Sequence, residues 1–417
     1  MRILRLTPAV EKKLLRARQE HDTEAEHIAG KIIKDVRRRG DAALSAWVKR
    51  LDDIDLRRES LWIAEDEIRA ASKQVSREFL RALEHAARNV RGVAEKQLPR
   101  PWTMDVEPGV KIGQVVRPIN AIGCYVPGGR FALVSTMVMT VVPAQVADVR
   151  DIQVACPRPN AALLATAGFL GVTRIARMGG AQAIAALAYG TKRVARVEKI
   201  FGPGNRFVTA AKQVVSSDCA IDLPAGPTEA IVFSTTGNPR WIAADLLAQA
   251  EHAPDAGSYL VTTSTRLARQ VQTEVTRQLR QLPATNPAQI SMNRTGAILV
   301  ASSLQAACEF VNRFAPEHLT LSGNRKALLK QIDATGTVFL GPWGAEPLGD
   351  YASGSNHVLP TGGWARKRGG LSTADFVKCI SVQTITRQGF RRLAGTVETL
   401  ATSEGLMAHG NAVRVRR

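Results

Sequence analysis

The chain has 417 residues, of which 45% are hydrophobic but only 5% aromatic, and it carries a formal net charge of +19. That length implies about two or three domains with ample material for aliphatic cores of the α/β kind. Its five cysteines form no C-x-x-C pair, which argues against a disulfide framework or a cysteine metal site and for a reducing cytoplasm. The start, Met1-Arg-Ile-Leu-Arg5, lacks a signal-peptide core, and no run of about 18 apolar residues exists to span a membrane. The positive charge is diffuse, as in Lys34 to Arg39 and the tail Arg414-Val-Arg-Arg417, with no aromatic-interleaved basic motif. Specific nucleic-acid binding is therefore not expected. From residue 361 onward ten basic residues face three acidic ones, so this segment can attract phosphates or an acidic neighbour.

Taken in order, residues 1–20 read as an N-terminal helical segment, with Thr7-Pro8 as a cap followed by a first-turn proline. Helical patterns follow at Thr23 to Arg39, Ala42 to Leu51 and Glu65 to Gln97. His21, His27 and His85 lie among charges here and read as surface residues. Pro99, Pro101 and Pro108-Gly109 mark a connection. From about residue 111 short apolar runs alternate with helical ones. Candidate strands are 120–125, 152–156, 174–178, 197–201, 229–233, 259–262, 297–300, 319–321 and 337–340. Alternating strand and helix patterns mean parallel sheets covered by helices. The expected fold class is α/β, with two Rossmann-like parallel-sheet domains and helical N- and C-terminal segments. Pro118 and the Pro224-Ala-Gly-Pro227 run mark the boundaries. Residues 119–229 form one domain, and 21–118 join 230–370 in a larger one. Residues 371–417 form a helical tail with no strand pattern.

Chemistry concentrates in a few stretches. Gln249-Ala-Glu-His252 closes the amphipathic run from Trp241, and residues three apart share a helical face. Pro254 stops the helix, leaving His252 in its last turn. The Gln249 amide oxygen and His252 imidazole suit a borderline cation such as zinc, although a last-turn histidine also caps free carbonyls. Tyr125-Val-Pro-Gly-Gly129, Gly179-Gly-Ala-Gln182 and Gly202-Pro-Gly-Asn205 each lead from a strand end to a helix start, where anions are favoured. The G-x-G-x-x-G fingerprint is absent, so a nucleotide would be held atypically. Ala315-Pro-Glu317-His318-Leu319 pairs a carboxylate with an imidazole, and histidine titrates near ~6.5, which suits a general base. Asp350 and His357 share a loop ringed by glycine and proline, where Asp350 is a candidate oxygen ligand. Glu404 and His409 add a carboxylate–imidazole set in the tail.

In their order these motifs resemble the histidinol dehydrogenase family: YVPGG, GGAQAIAA, FGPGN, DLPAGPTE, QAEH, APEHL, GDYASGSNHVLP and ETLA with EGLMAHGNAV. The resemblance runs from about residue 115 to 413, with a weaker likeness in the N-terminal helices. It implies a zinc- and NAD-dependent homodimer, with one zinc ion per subunit, that oxidises L-histidinol through L-histidinal to L-histidine. Gln249, His252, Asp350 and His409 fall on the zinc ligands, with His409 donated by the partner subunit. Those four, together with Thr228, His318, His357 and Glu404, fall on substrate-side positions. Glu317 and His318 fall on the acid–base pair, and Tyr125, Gln182 and Asn205 on NAD-contacting positions. Two departures stand out. Thr228 replaces the usual serine, and Arg130 to Ser135 replaces a proline-containing continuation beside the nucleotide cleft. The competing expectation within the superfamily is a paralogue oxidising another polar alcohol, such as a sulfonated diol. Its zinc and acid–base pair would be the same, whereas Glu404 and His357 match amino-imidazole positions.

Overall fold

The computed structural model describes residues 1–18, 22–128, 133–223, 226–322 and 325–417. His21, the end of the first glycine stretch with the first half of the Arg130 to Ser135 departure, and Pro224-Ala225 lie outside them. Two parallel sheets carry the fold. The larger has six strands in the order Arg2–Arg5, Ala297–Val300, Gly257–Thr262, Glu229–Phe233, His318–Leu321 and Thr337–Leu340. The smaller has five, in the order Ile175–Ala176, Asp151–Ala155, Ala121–Tyr125, Lys199–Phe201 and Ala220–Ile221. Central strands such as Glu229–Phe233 and Gly257–Thr262 are buried along their whole length, as strands covered on both faces require. The α/β class follows directly from this architecture.

The segments before residue 120 are distributed differently from the expected grouping of 21–118 with 230–370. Helices Thr23–Arg39 and Asp41–Asp52 pack on Gly180–Tyr189 and Arg206–Val215 of the five-stranded unit. Helix Arg77–Gln97 packs on Val134–Val146 of the same unit. The aliphatic stripes of these helices, including Ile32, Ile33, Val36, Leu44 and Val48, complete its core. The first residues are not purely helical either. Arg2–Arg5 is an edge strand of the six-stranded sheet, and Pro8–Ala17 follows, with the Thr7 side chain accepting from the Val10 N–H.

A third, antiparallel sheet corrects the reading of both the proline-rich connection and the tail. Val377–Ile385 pairs with Val110–Pro118, which pairs with Trp102–Glu107 through an irregularity at Asp105 to Glu107. The alternation Val377, Cys379, Ser381 against Lys378, Ile380, Val382 carries no single apolar face. A strand exposed on both sides gives no period-two burial signal. The tail ends in helices Arg387–Ser403 and Met407–Arg414. Among the described residues, no helix is long and apolar enough to cross a membrane.

Candidate active site

Glu317 and His318, the expected acid–base pair, stand at the start of an interior strand. Helix Leu304–Phe314 ends at Ala315 in the left-handed region (φ 51°), and Pro316 then directs the chain into His318–Leu321. Glu317 and His318 are thereby held rigidly and are both buried, at 7% and 4% exposure. The Thr228 hydroxyl donates to Glu317 Oε2 at 2.5 Å, and the Glu229 N–H donates to the same oxygen at 3.0 Å. Burial raises the Glu317 carboxyl above its ordinary range, and His318 and these hydrogen bonds oppose the shift.

Helix Pro239–Ala250 brings Gln249 to the same point. The helix ends one turn earlier than its sequence suggested: Glu251 is the cap, and His252 lies beyond it in a turn before Pro254. The His252 N–H still reaches the Gln249 carbonyl at 3.4 Å, so the two side chains remain neighbours. The Gln249 amide is fully buried and sits between the Thr228 hydroxyl at 2.8 Å, the Glu229 N–H at 2.9 Å and Glu346 Oε1. Asp350 is not in a loop but in the short helix Glu346–Tyr351, one turn after Glu346. Its Oδ2 lies 3.6 Å from His252 Nε2, and its Oδ1 lies 3.6 Å from His318 Nε2.

Glu346 is the residue that the sequence reading missed. It is 2% exposed, its Oε1 lies 3.7 Å from His318 Nδ1, and it joins His252 and Asp350 in a ligand-capable group whose atoms lie within 4.8 Å of one another. A lone glutamate four residues before Asp350 in a Gly/Pro-rich stretch had a helical i,i+4 relation as its only signal, and no periodic pattern revealed the helix.

The electrostatics of this cluster fit a cation. Burial alone would depress the His318 imidazolium, yet Glu346, Glu317 and Asp350 outweigh it and push its pKa up to about 10. Burial lifts Glu346 to about 7. Asp350 is also buried, but hydrogen bonding to His252 and His318 holds it well below the usual carboxylate range. Asp350 in turn raises His252. Three carboxylates in one buried pocket are compensated poorly by two imidazoles. The Gln249 amide satisfies both ends only with its nitrogen toward Glu346, and turning its oxygen there sets acceptor against acceptor unless a cation lies between. Gln249 reaches Glu346, and Glu346 groups with His252 and Asp350, so the cluster offers the donor chemistry of a nitrogen–oxygen metal site.

His357 stands beside them, its Nδ1 2.9 Å from the Asp350 carbonyl and its Nε2 3.5 Å from Thr136 Oγ1; burial lowers its pKa. Glu404 and His409 do not join the cluster within one chain: both are exposed, at and beyond the end of helix Arg387–Ser403.

At the five-stranded sheet, Tyr125 and Gln182 meet at one glycine turn, where the Tyr125 hydroxyl accepts the Gly180 N–H at 3.1 Å. Asn205 caps the next helix start, its Oδ1 accepting from Phe207 and Val208 N–H at 3.0 and 3.1 Å. A second residue absent from the sequence reading enters here. The Asp52 carboxylate, from the end of helix Asp41–Asp52, accepts the Gly179 N–H at 3.0 Å and the Gln182 amide at 2.9 Å.

A family model described as histidinol dehydrogenase matches residues 15–417. The chain belongs to the histidinol dehydrogenase family. It is 43% identical over 398 residues to the histidinol dehydrogenase of Aquifex aeolicus, covering 95% of this chain and 93% of the relative. It is 44% identical over 418 residues to that of Methanopyrus kandleri, covering 97% of each. The crystal structure of histidinol dehydrogenase from Elizabethkingia anophelis superposes with a TM-score of 0.94 at 37% identity, over 100% of this chain and 98% of that one. The protein is therefore an oxidoreductase of the histidinol dehydrogenase family.

Proposed function

We propose that the protein is a zinc-dependent, NAD-linked histidinol dehydrogenase, acting in the cytoplasm as a homodimer that oxidises L-histidinol through L-histidinal to L-histidine. The observation that carries this reading is the cluster of buried Glu317, His318, Gln249, Glu346 and Asp350 with the exposed His252 at its edge. Gln249, His252 and Asp350 would hold the zinc ion, with His409 of a second copy completing the set; the metal's contribution is to anchor the substrate's imidazole and amino nitrogens. The five-stranded unit, with Tyr125, Gln182 and Asn205, would hold NAD, the acceptor of the two hydrides. Thr228, His357 and the second copy's Glu404 would line the substrate's place.

The protein's own residues divide the proton work. His318 takes the alcohol proton as the first hydride leaves the carbinol carbon, giving the aldehyde. Glu317 takes a proton from water as its oxygen adds to that aldehyde, and His318 serves again when the hydrate loses the second hydride to give the acid. A divalent cation held by Asp350 would weaken that carboxylate's pull on His318 and bring the imidazole back toward the range where it accepts protons at neutral pH. Rigid placement on a buried strand keeps both groups at one carbon through successive steps.

The deciding experiment follows NADH formation from L-histidinol before and after chelation and counts NADH per substrate consumed. The expected result is two NADH per histidinol, lost on chelation and restored by zinc. Turnover of sulfopropanediol but not histidinol would overturn the substrate and favour the sulfonated-diol paralogue.

A further inference from the structure

Each ring nitrogen of His318 faces a carboxylate, and the two sides of the ring differ. Nε2 lies 3.6 Å from Asp350 Oδ1, on the side where Asp350 also meets the exposed His252. Nδ1 lies 3.7 Å from Glu346 Oε1 and 3.9 Å from Glu317 Oε2. It is buried and has no hydrogen-bond partner among the described residues. Buried polar nitrogens are ordinarily paired, so one of these two acceptors is placed to serve it.

The two are not equally free. Glu317 Oε2 already takes the Thr228 hydroxyl and the Glu229 N–H. Among the described residues, Glu346 meets only the Gln249 amide as a donor, and an ionised carboxylate accepts at about four positions. Packing holds Glu346 and His318 in this relation. The Phe339 ring lies over the imidazole, with centroids 6.2 Å apart and planes 26° apart. Glu346 opens the short helix Glu346–Tyr351, which can press on Phe339 because Gly349 has no side chain: a Cβ there would stand 2.6 Å from the ring. One aromatic ring thus fixes both the tilt of His318 and the seat of the helix that carries Glu346.

A neutral imidazole carries one proton, and the hydrogen bond made by one nitrogen decides which nitrogen is left to accept. Asp350, facing Nε2, favours the tautomer protonated there, which cannot act as a base on that side. We propose that Glu346 is a positioning residue: it takes the Nδ1–H of His318 and so leaves Nε2 as the nitrogen that accepts the alcohol proton. This rests on the dehydrogenase reading above. The imidazolium formed at that step keeps a carboxylate on its far nitrogen. Without Glu346 the pull of Asp350 is unopposed, and the ring falls into the tautomer that cannot take the proton.

The test uses the full-length, zinc-loaded protein and nitrogen NMR of isotope-labelled histidines, with His318→Gln identifying the His318 signals. Wild-type protein is expected to show His318 with Nδ1 protonated and Nε2 free. A free Nδ1, or protons on both nitrogens, overturns the proposal without any variant of Glu346. Glu346→Gln is expected to lower kcat for L-histidinol by about 10²-fold, with KM and zinc content unchanged. In a His318→Gln background the same substitution should cost nothing further, because a residue that acts through His318 has no effect once that imidazole is gone. Unchanged kcat in Glu346→Gln, or an equal loss in both backgrounds, overturns the proposal. Loss of zinc does so too, since it would make Glu346 a ligand. If wild-type protein oxidises no histidinol, the dehydrogenase reading fails, and the tautomer measurement, which needs no substrate, still decides the role of Glu346.

Discussion

At the scale of single residues, His318 and Glu317 are adjacent in sequence but differently equipped. His318 is flanked by Glu346 and Asp350 on its two ring nitrogens, whereas Glu317 is tied to Thr228 and the Glu229 N–H. His318→Gln is therefore expected to reduce kcat for both alcohol and aldehyde oxidation by roughly 10²-fold or more. Glu317→Gln should impair the aldehyde step most. Separate assays with L-histidinol and L-histidinal decide the matter, and equal losses on both steps in Glu317→Gln would contradict the division of roles. The metal cluster supplies a pH prediction. Asp350 raises the pKa of His252, and a protonated imidazole cannot ligate, so metal binding must displace that proton. Apparent zinc affinity should accordingly keep rising with pH above the ordinary imidazole range rather than level off near it. Chelator competition between about pH 6 and 9 would measure this, and a flat profile would exclude His252 as a ligand. Gln249, His252 and Asp350 could be named as metal candidates from the sequence because their motifs carry the family resemblance. Glu346 and Asp52 were not, because a buried acid's role depends on which element it faces, and nothing in one chain's spacing records that.

At the scale of elements, an ion pair ties the N-terminal helix to the site. Arg18, which caps helix Pro8–Ala17, pairs with Glu229 (Nε to Oε2 at 2.6 Å), donates to the Phe314 carbonyl and lies over the Phe314 ring at 3.6 Å. Glu229 is the residue whose N–H holds Glu317, and its carboxylate also accepts the Gly362 N–H at 3.2 Å. Burial raises Glu229 to about 7, with Arg18 as the main counterweight. Arg18→Met removes that counterweight and leaves a buried, uncompensated carboxylate, at a cost of about 3 kcal/mol. The sign with pH follows from protonation. A carboxyl raised in the folded state favours folding below its unfolded pKa, and that stability is lost as pH rises through the folded value. The variant's deficit should thus be largest above pH 7 and shrink toward pH 5, as urea melts at the two extremes would show; a constant deficit would mean that Arg18 acts through packing alone. Patterning revealed the parallel strands, including the buried 229–233 and the edge strand 337–340, because short, mostly apolar runs between helices have few other readings. It missed Arg2–Arg5, Trp102–Glu107 and Val377–Ile385, edge or two-side-exposed strands whose partners lie far away in sequence.

At the scale of the whole molecule, the antiparallel sheet is apolar on both exposed faces. By register, Trp102 and Met104 share one face, while Ile380 and Val382 share the other with Thr103 and Gly113. Trp102 and Met104 are 47% and 54% exposed, and Leu400 and Met407 on the following helices add 57% and 65%. Apolar surface of this extent, continuous with a tail that bears Glu404 and His409, is the kind that a second copy covers. The tail also carries a net positive charge, and the site it would approach holds Glu317, Glu346 and Asp350, so charge favours the encounter. A shared site makes a prediction that a site built within one chain does not. His409→Ala and His318→Gln homodimers are each expected to be nearly inactive. When the two are mixed, unfolded and refolded together, heterodimers should carry one site with both defects and one with neither. Activity should then recover toward about half the wild-type value per heterodimer, since intact sites at separate positions act independently. Differently tagged subunits, purified as heterodimers and assayed for NADH formation, measure it. Heterodimers without activity would place His409 in its own chain's site and would require the tail to fold back across this sheet.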